Sequence, residues 1–235
     1  MPNCVSYDPA FAYELAVVIQ DGLRRMFAAQ EDVFFYITCM NENYAHPAMP
    51  KDAQAGILKG MYLLQAGGRG KVRVNLLGSG TILREVMKAA EILERDYGVP
   101  ADIFSVPSYS ELRREALDVE RRNLLHPEQP AQQPYVRQCL GDRAGPFIAA
   151  SDYMKIVPDQ IRQWVPGRFL VLGTDGYGRS DSRAQLRRHF EVDAQHIVLA
   201  SLRALADEGK LDVATVKQCM KKFDIDPERP NPVTQ

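Results

Sequence analysis

Lys71-Val-Arg-Val-Asn-Leu-Leu77, Gly78-Ser-Gly80 and then Ile82 to Tyr97 form the stretch from which the fold reads. The first seven residues predict a strand, the glycine pair a tight turn and the remainder a helix. The same alternation continues downstream. Ala101–Val106 reads as a strand and Ser108–Leu125 as a helix. Pro146–Ala150 and Arg168–Leu172 read as strands separated by a helix over Tyr153–Val165. Helices over Asp181–Phe190, Asp193–Glu208 and Asp212–Phe223 complete the order, and the tail from Asp224 is extended. Strands alternating with helices predict an α/β fold, a three-layer αβα arrangement with a mainly parallel sheet. Tyr135–Leu140 follows a Pro- and Gln-rich loop, not a helix, and is expected as an antiparallel edge strand.

Upstream, Pro9–Ala29 reads as a helix capped by Asp8, with Phe11, Leu15, Val18 and Gly22 on one stripe. Its second stripe, Ala12, Ala16, Ile19, Leu23 and Met26, widens the apolar face, so deep burial is expected. Val33–Met40 is a continuous apolar and β-branched run, expected as a strand covered on both faces. A polar loop and a helix over Asp52–Leu64 follow. Gln65-Ala-Gly-Gly-Arg-Gly70 is the strongest linker, because three glycines in six residues are entropically costly to order. It divides the chain into residues 1–66 and 67–235.

The 235 residues carry 29 Lys and Arg against 30 Asp and Glu, a net charge of −1. That balance supplies no general attraction to nucleic acid or an anionic membrane surface. No apolar run approaches the roughly 20 residues of a membrane span, and the first residues lack a signal-peptide pattern. A cytoplasmic address is expected. Cys4, Cys39, Cys139 and Cys219 are scattered without a Cys-x-x-Cys pair, and the four histidines have no metal-ligand spacing.

Gly78-Ser-Gly80 invites a dinucleotide-binding reading, but the third glycine position is Leu83 and the next strand ends Phe104-Ser-Val106 without an acid. A strand-to-helix turn capped by Ser79 or Thr81 is the better account. Gly173-Thr-Asp-Gly-Tyr-Gly-Arg-Ser180 lies at the carboxyl end of a strand, where open α/β sheets bind ligands. Asp175, Tyr177 and Arg179 are its candidate interface or loop-binding residues. It is superficially like the Gly-Asp-Gly of a thiamine diphosphate magnesium site, but no Asn-Asn pair follows. Glu111–Arg114 and Glu115–Arg122 spacings suit local ion pairs on a solvated helix face. Arg183, Arg187 and Arg188 form a modest basic cluster without interleaved aromatics.

Several longer strings converge. Asn3-Cys-Val-Ser-Tyr-Asp-Pro-Ala-Phe-Ala-Tyr-Glu14, Tyr36-Ile-Thr-Cys-Met-Asn-Glu-Asn-Tyr44 and Leu172-Gly-Thr-Asp-Gly-Tyr-Gly-Arg-Ser-Asp-Ser-Arg183 resemble the C-terminal part of the homodimeric bacterial pyruvate dehydrogenase decarboxylating component. Pro47-Ala-Met-Pro50, Arg188-His-Phe-Glu-Val-Asp193 and Phe223-Asp-Ile-Asp-Pro227 add to the resemblance, which runs through the chain in order. It implies a homodimer of three-domain subunits that uses thiamine diphosphate and magnesium to decarboxylate pyruvate. The lipoyl group of dihydrolipoyl acetyltransferase is then reductively acetylated. By this resemblance, residues 1–66 are the end of the middle, pyrimidine-binding domain, and residues 67–235 are a transketolase-like C-terminal domain. The cofactor-binding motifs fall in the missing N-terminal and middle portions, so this segment is expected to be an inactive scaffold holding dimer contacts and no bound cofactor. The alternative is an autonomous dimerisation or acyltransferase-docking module. Related transketolases carry a phosphate-binding Arg at a strand end that Met40 occupies here, so Met40, Asn41 and Glu42 are substrate-channel candidates. The segment is also expected to leave apolar surface open and to dimerise or aggregate.

Overall fold

A computed structural model describes residues 1–234 and divides them between two sheets. The smaller pairs β1 (Cys4–Tyr7) in parallel with β2 (Phe34–Ile37), linked by α1 (Ala12–Leu23) and one π-helical turn, Arg24–Ala28. The larger takes β3 (Tyr62–Gln65), β4 (Val74–Gly78), β5 (Ala101–Ser105), β6 (Phe147–Ala150) and β7 (Phe169–Leu172) in the order β3-β5-β4-β6-β7. Four of its strands are parallel and β3 runs antiparallel to β5. The remaining helices are α2 (Ala53–Lys59), α3 (Leu83–Tyr97), α4 (Tyr109–Leu125), α5 (Tyr135–Leu140), α6 (Ile156–Asp159), α7 (Arg183–His189), α8 (Ala194–Asp207) and α9 (Val213–Lys222). The α/β, mainly parallel expectation holds.

The antiparallel edge lies elsewhere than expected. Tyr135–Leu140 is a helix: Val136 and Leu140, four apart, are fully buried, and Tyr135 and Cys139 pack beside them on the same face. The edge strand is instead β3, ahead of the glycine-rich stretch and within what reads as the end of a helix. Gly60 stops that helix early: its φ is +98°, and a Cβ there would stand 2.3 Å from the Ser108 carbonyl oxygen. Only glycine fits, and the chain leaves Gly60 extended.

The central strand β4 is buried along its whole length. α3, α8 and α9 cover one face of the sheet around Leu76, Ile103 and Ile148; α4, α5 and α6 cover the other around Leu77, Phe104 and Phe147. The helix expected over Tyr153–Val165 is only α6 plus a 3-10 turn at Arg162–Trp164. α3 has no side-chain cap; a 3-10 turn at Gly80–Ile82 precedes it, and Ser79 Oγ donates to Ser151 Oγ at 3.2 Å. α7 is capped by Ser182, which accepts from the Gln185 amide, and so starts two residues later than expected. Along α4 the Glu111–Arg114 pair forms at 3.2 Å, while Glu115 accepts from the Tyr135 amide instead of pairing with Arg122.

The smaller sheet departs further from expectation. β2 is short and alternates between exposed and half-buried residues, because β1 is its one neighbour. α1 buries Val17, Val18 and Gly22, but Ile19 and Leu23 face outward. Its N-terminus is organised by Glu14, not Asp8: Oε2 accepts from the amides of Ala10 and Phe11 at 2.5 and 3.2 Å. The other oxygen of Glu14 accepts from Tyr62 Oη and Ser105 Oγ, both at 2.6 Å, and so joins the two sheets. The seam continues where the Asp8 amide donates to the Pro107 carbonyl, the Gly80 amide to the Asp8 carbonyl and Arg114 to the Cys4 carbonyl. Among the described residues no helix is long and apolar enough to cross a membrane.

Candidate functional site

In an open parallel sheet, ligands meet the carboxyl ends of the strands where the strand order reverses. Here the chain leaves the central β4 for β5 on one side and later fills β6 and β7 on the other. The loops after β4, β6 and β7 therefore diverge, and Thr81, Asp152 and Thr174 from those loops line a cleft of about 300 Å³. The segment after β2 forms a further wall through Met40, Asn41 and Glu42, and Arg179, Arg183 and Arg187 stand opposite.

Charge organises this cleft. Arg187 donates to Glu42 Oε2, lies 3.2 Å from Glu85 Oε1 and approaches Thr81 Oγ1 at 3.4 Å. Arg84 donates to the other oxygen of Glu42, and its guanidinium lies 4.4 Å above the Tyr44 ring. Arg183 donates to Asn41, with its Nε 3.9 Å from Glu42. Glu85 also accepts from Lys88 and from the Ala194 amide. Burial pushes the Glu42 carboxyl up, but Arg187 and Arg84 outweigh it and hold the group below the ordinary carboxylate range. Burial raises the Asp152 carboxyl, with Arg187 opposing and Glu42 reinforcing. The arrangement is a latch: two arginines of the large unit hold the segment that emerges from the small sheet. Tyr44 stacks on His46 at 4.7 Å, and His46 Nδ1 accepts from the Ala12 amide, fixing the far end of the same segment.

The structure thus brings four of the six sequence candidates, Met40, Asn41, Glu42 and Arg179, to one cleft. Asp175 is engaged elsewhere: it accepts from the Lys155 amide at 3.4 Å and lies 3.9 Å from Lys155 Nζ. It ties the loop after β7 to the segment after β6, as Thr174 also does through the Asp152 carbonyl. Tyr177 projects outward, 78% exposed. Sequence reasoning missed Arg84, Glu85 and Asp152. Arg183 and Arg187, noted as a basic cluster, share a helix face by their spacing of four, but no local pattern names Glu42 as their partner.

The cleft does not fit a metal ion. Among the described residues no group of three or more His, Cys, Asp or Glu can hold a metal ion, and Glu42 is already committed to arginines.

Residues 60–193 match the model of the family described as the transketolase-like TK C-terminal domain. The chain belongs to that family. Residues 1–47 match the pyruvate dehydrogenase E1 component middle domain. The chain is 57% identical to the pyruvate dehydrogenase E1 component of Pseudomonas aeruginosa over 235 residues, covering 99% of this chain and 27% of that protein. It is 52% identical to the Escherichia coli K12 protein of the same name over 234 residues, again 99% of this chain and 26% of the relative. The chain therefore spans about a quarter of the length of these relatives and matches a C-terminal segment of them. Among solved structures, transketolase from Campylobacter jejuni superposes with a TM-score of 0.59 at 17% identity, over 84% of this chain and 26% of that one. Transketolase from Leishmania mexicana superposes with a TM-score of 0.58 at 15% identity, over 100% of this chain and 28% of that one. These structures support the transketolase-like C-terminal fold, with its mostly parallel sheet and single antiparallel strand.

Proposed function

We propose that this chain is the C-terminal portion of a cytoplasmic, homodimeric pyruvate-decarboxylating enzyme component. That enzyme would use thiamine diphosphate and magnesium and pass the acetyl group to the lipoyl group of a dihydrolipoyl acetyltransferase. The observation that carries the reading is 57% identity, over nearly the whole chain, to a protein named pyruvate dehydrogenase E1 component. Within that enzyme the segment acts as scaffold. The large sheet, buried on both faces, presents Arg84 and Arg187, and these fix the segment carrying Met40, Asn41 and Glu42. Met40, 45% exposed, then places an apolar side chain at the mouth of the cleft, in keeping with a substrate that lacks a phosphate.

The carboxylates of the cleft do not suit a metal, so magnesium and the cofactor it anchors would be held by the rest of the enzyme. A second observation supports a scaffold that self-associates. A solved chain titled "Split gene transketolase, inactive beta4 tetramer" superposes on 88% of this chain with a TM-score of 0.54 and 16% identity.

The test compares the 235-residue chain with the full-length enzyme for carbon dioxide release from pyruvate in the presence of cofactor and metal. Turnover by full-length enzyme and none by the segment is expected; turnover by the segment would overturn the assignment. In full-length enzyme, Met40→Arg is expected to change KM for pyruvate about tenfold, while cofactor affinity is retained. Unchanged KM would remove Met40 from the substrate path.

A further inference from the structure

A separate cavity of about 280 Å³ lies where the carboxyl ends of the two sheets meet. Asp8 and Thr38, each just past a strand of the small sheet, line it together with Ser79 beyond β4 and the first turn of α4. Tyr7, Tyr36, Tyr109 and Tyr153 form much of its wall. It shares no lining residue with the cleft around Glu42.

Two polar atoms of its lining residues are buried with no hydrogen-bond partner, Asp8 Oδ2 and the Tyr109 hydroxyl. The other oxygen of Asp8 accepts from Thr38 Oγ1 at 2.5 Å. A Cβ on Gly80, whose φ is +50°, would stand 2.8 Å from Asp8 Oδ2, so a glycine leaves that oxygen its room. Orphaned buried polar atoms are rare in folded proteins, because each forfeits its hydration without compensation. The charged groups acting on Asp8 are Asp152 and Glu14, both acids. Burial, reinforced by those two and opposed by Thr38 and Ser79, pushes the Asp8 carboxyl up to about 6. Asp8 Oδ2 therefore lacks a donor, and no lining residue carries positive charge.

We propose that this cavity binds a small organic cation, an amine or amidine carried on a single ring, whose nitrogen donates to Asp8. Size agrees: an apolar cavity of about 150 Å³ admits benzene, so this larger one admits a ring with a substituent. The lining agrees as well, since aromatic walls around a carboxylate favour cations over neutral molecules of the same shape. The Tyr109 hydroxyl supplies a second hydrogen bond. The same chemistry can come from a free molecule or from a lysine or arginine side chain in the longer enzyme.

The test is calorimetric titration of the folded 235-residue chain and of full-length enzyme with benzylamine, and with benzyl alcohol as the uncharged comparison. Benzylamine is expected to bind the chain at least about tenfold more tightly than benzyl alcohol. Asp8→Asn should weaken benzylamine by about tenfold, and Tyr109→Phe by a smaller factor. Circular dichroism checks that each variant is folded. Binding to the chain that disappears in full-length enzyme assigns the cation to a side chain of that enzyme. Binding retained in both assigns it to a free molecule, and either outcome upholds the site. Absence of benzylamine binding to both proteins, or equal binding to wild type and both variants, overturns it.

Discussion

The two sheets solve the same problem unequally. Around β4, helices cover both faces, and every residue of the strand is buried. Around β2, Tyr36 is 62% exposed, and in the adjoining π-helical turn Phe27 is 79% exposed. A parallel sheet is normally buried on both faces, and two strands alone are marginal. The small sheet rests on a smaller apolar cluster, Val5, Val17, Val18 and Ile57 among it, and adds directional contacts at a seam, where the large one relies on far more buried apolar area. Loss of a single polar group should therefore loosen the first and barely touch the second.

Glu14 gives the largest expected effect. It is fully buried and accepts four hydrogen bonds, two of them from across the seam. Glu14→Ala should cost about 3–5 kcal/mol by urea denaturation, because Tyr62, Ser105 and two amides lose their acceptor together. A cost under about 1 kcal/mol would mean the seam is held by packing alone.

Arg187 comes next. Arg187→Met leaves Glu42 and Glu85 facing each other without their shared cation. About 2 kcal/mol is expected, less than for a fully buried pair because solvent reaches the cleft. The loss should appear in protease sensitivity of residues 38–46 before it appears in the large sheet; uniform sensitivity would break the comparison.

Asp8 and Glu42 respond to pH in opposite directions. Asp8 is raised from 3.8 to about 6, so the native state binds the extra proton between those values and stability falls as pH rises through them. Relative to Asp8→Asn, wild type should lose about 2 kcal/mol between pH 4 and pH 7. Glu42 is held low, so its contribution is present above the ordinary carboxylate range and fades as pH falls through its lowered value. Parallel denaturation curves for wild type and Asp8→Asn across that window would deny the burial argument.

Sequence legibility follows the same division. The strand–turn–helix from Lys71 to Tyr97 was readable because apolar pattern and glycine turn agree, and burial then fixes the element. β3 was not, because Tyr62-Leu-Leu-Gln65 continues a helical-looking run and the stop at Gly60 depends on a carbonyl from Ser108, far along the chain. Tyr135–Leu140 is short enough that only its contacts decide between periods. Of the site, Arg179 was legible by its place at a strand end, and Met40, Asn41 and Glu42 through the family resemblance. Arg84 and Glu85 were not, because on α3 they read as an ordinary solvated pair until the fold carries Glu42 and Arg187 to them.

Native-state hydrogen exchange tests the contrast most directly, because it reads the opening free energy of each strand separately. Amides of β1, β2 and α1 should exchange through an opening at least about 2 kcal/mol below that of β4, β5 and β6, and Glu14→Ala should widen the gap. Equal protection across both sheets, unchanged by that substitution, would contradict it.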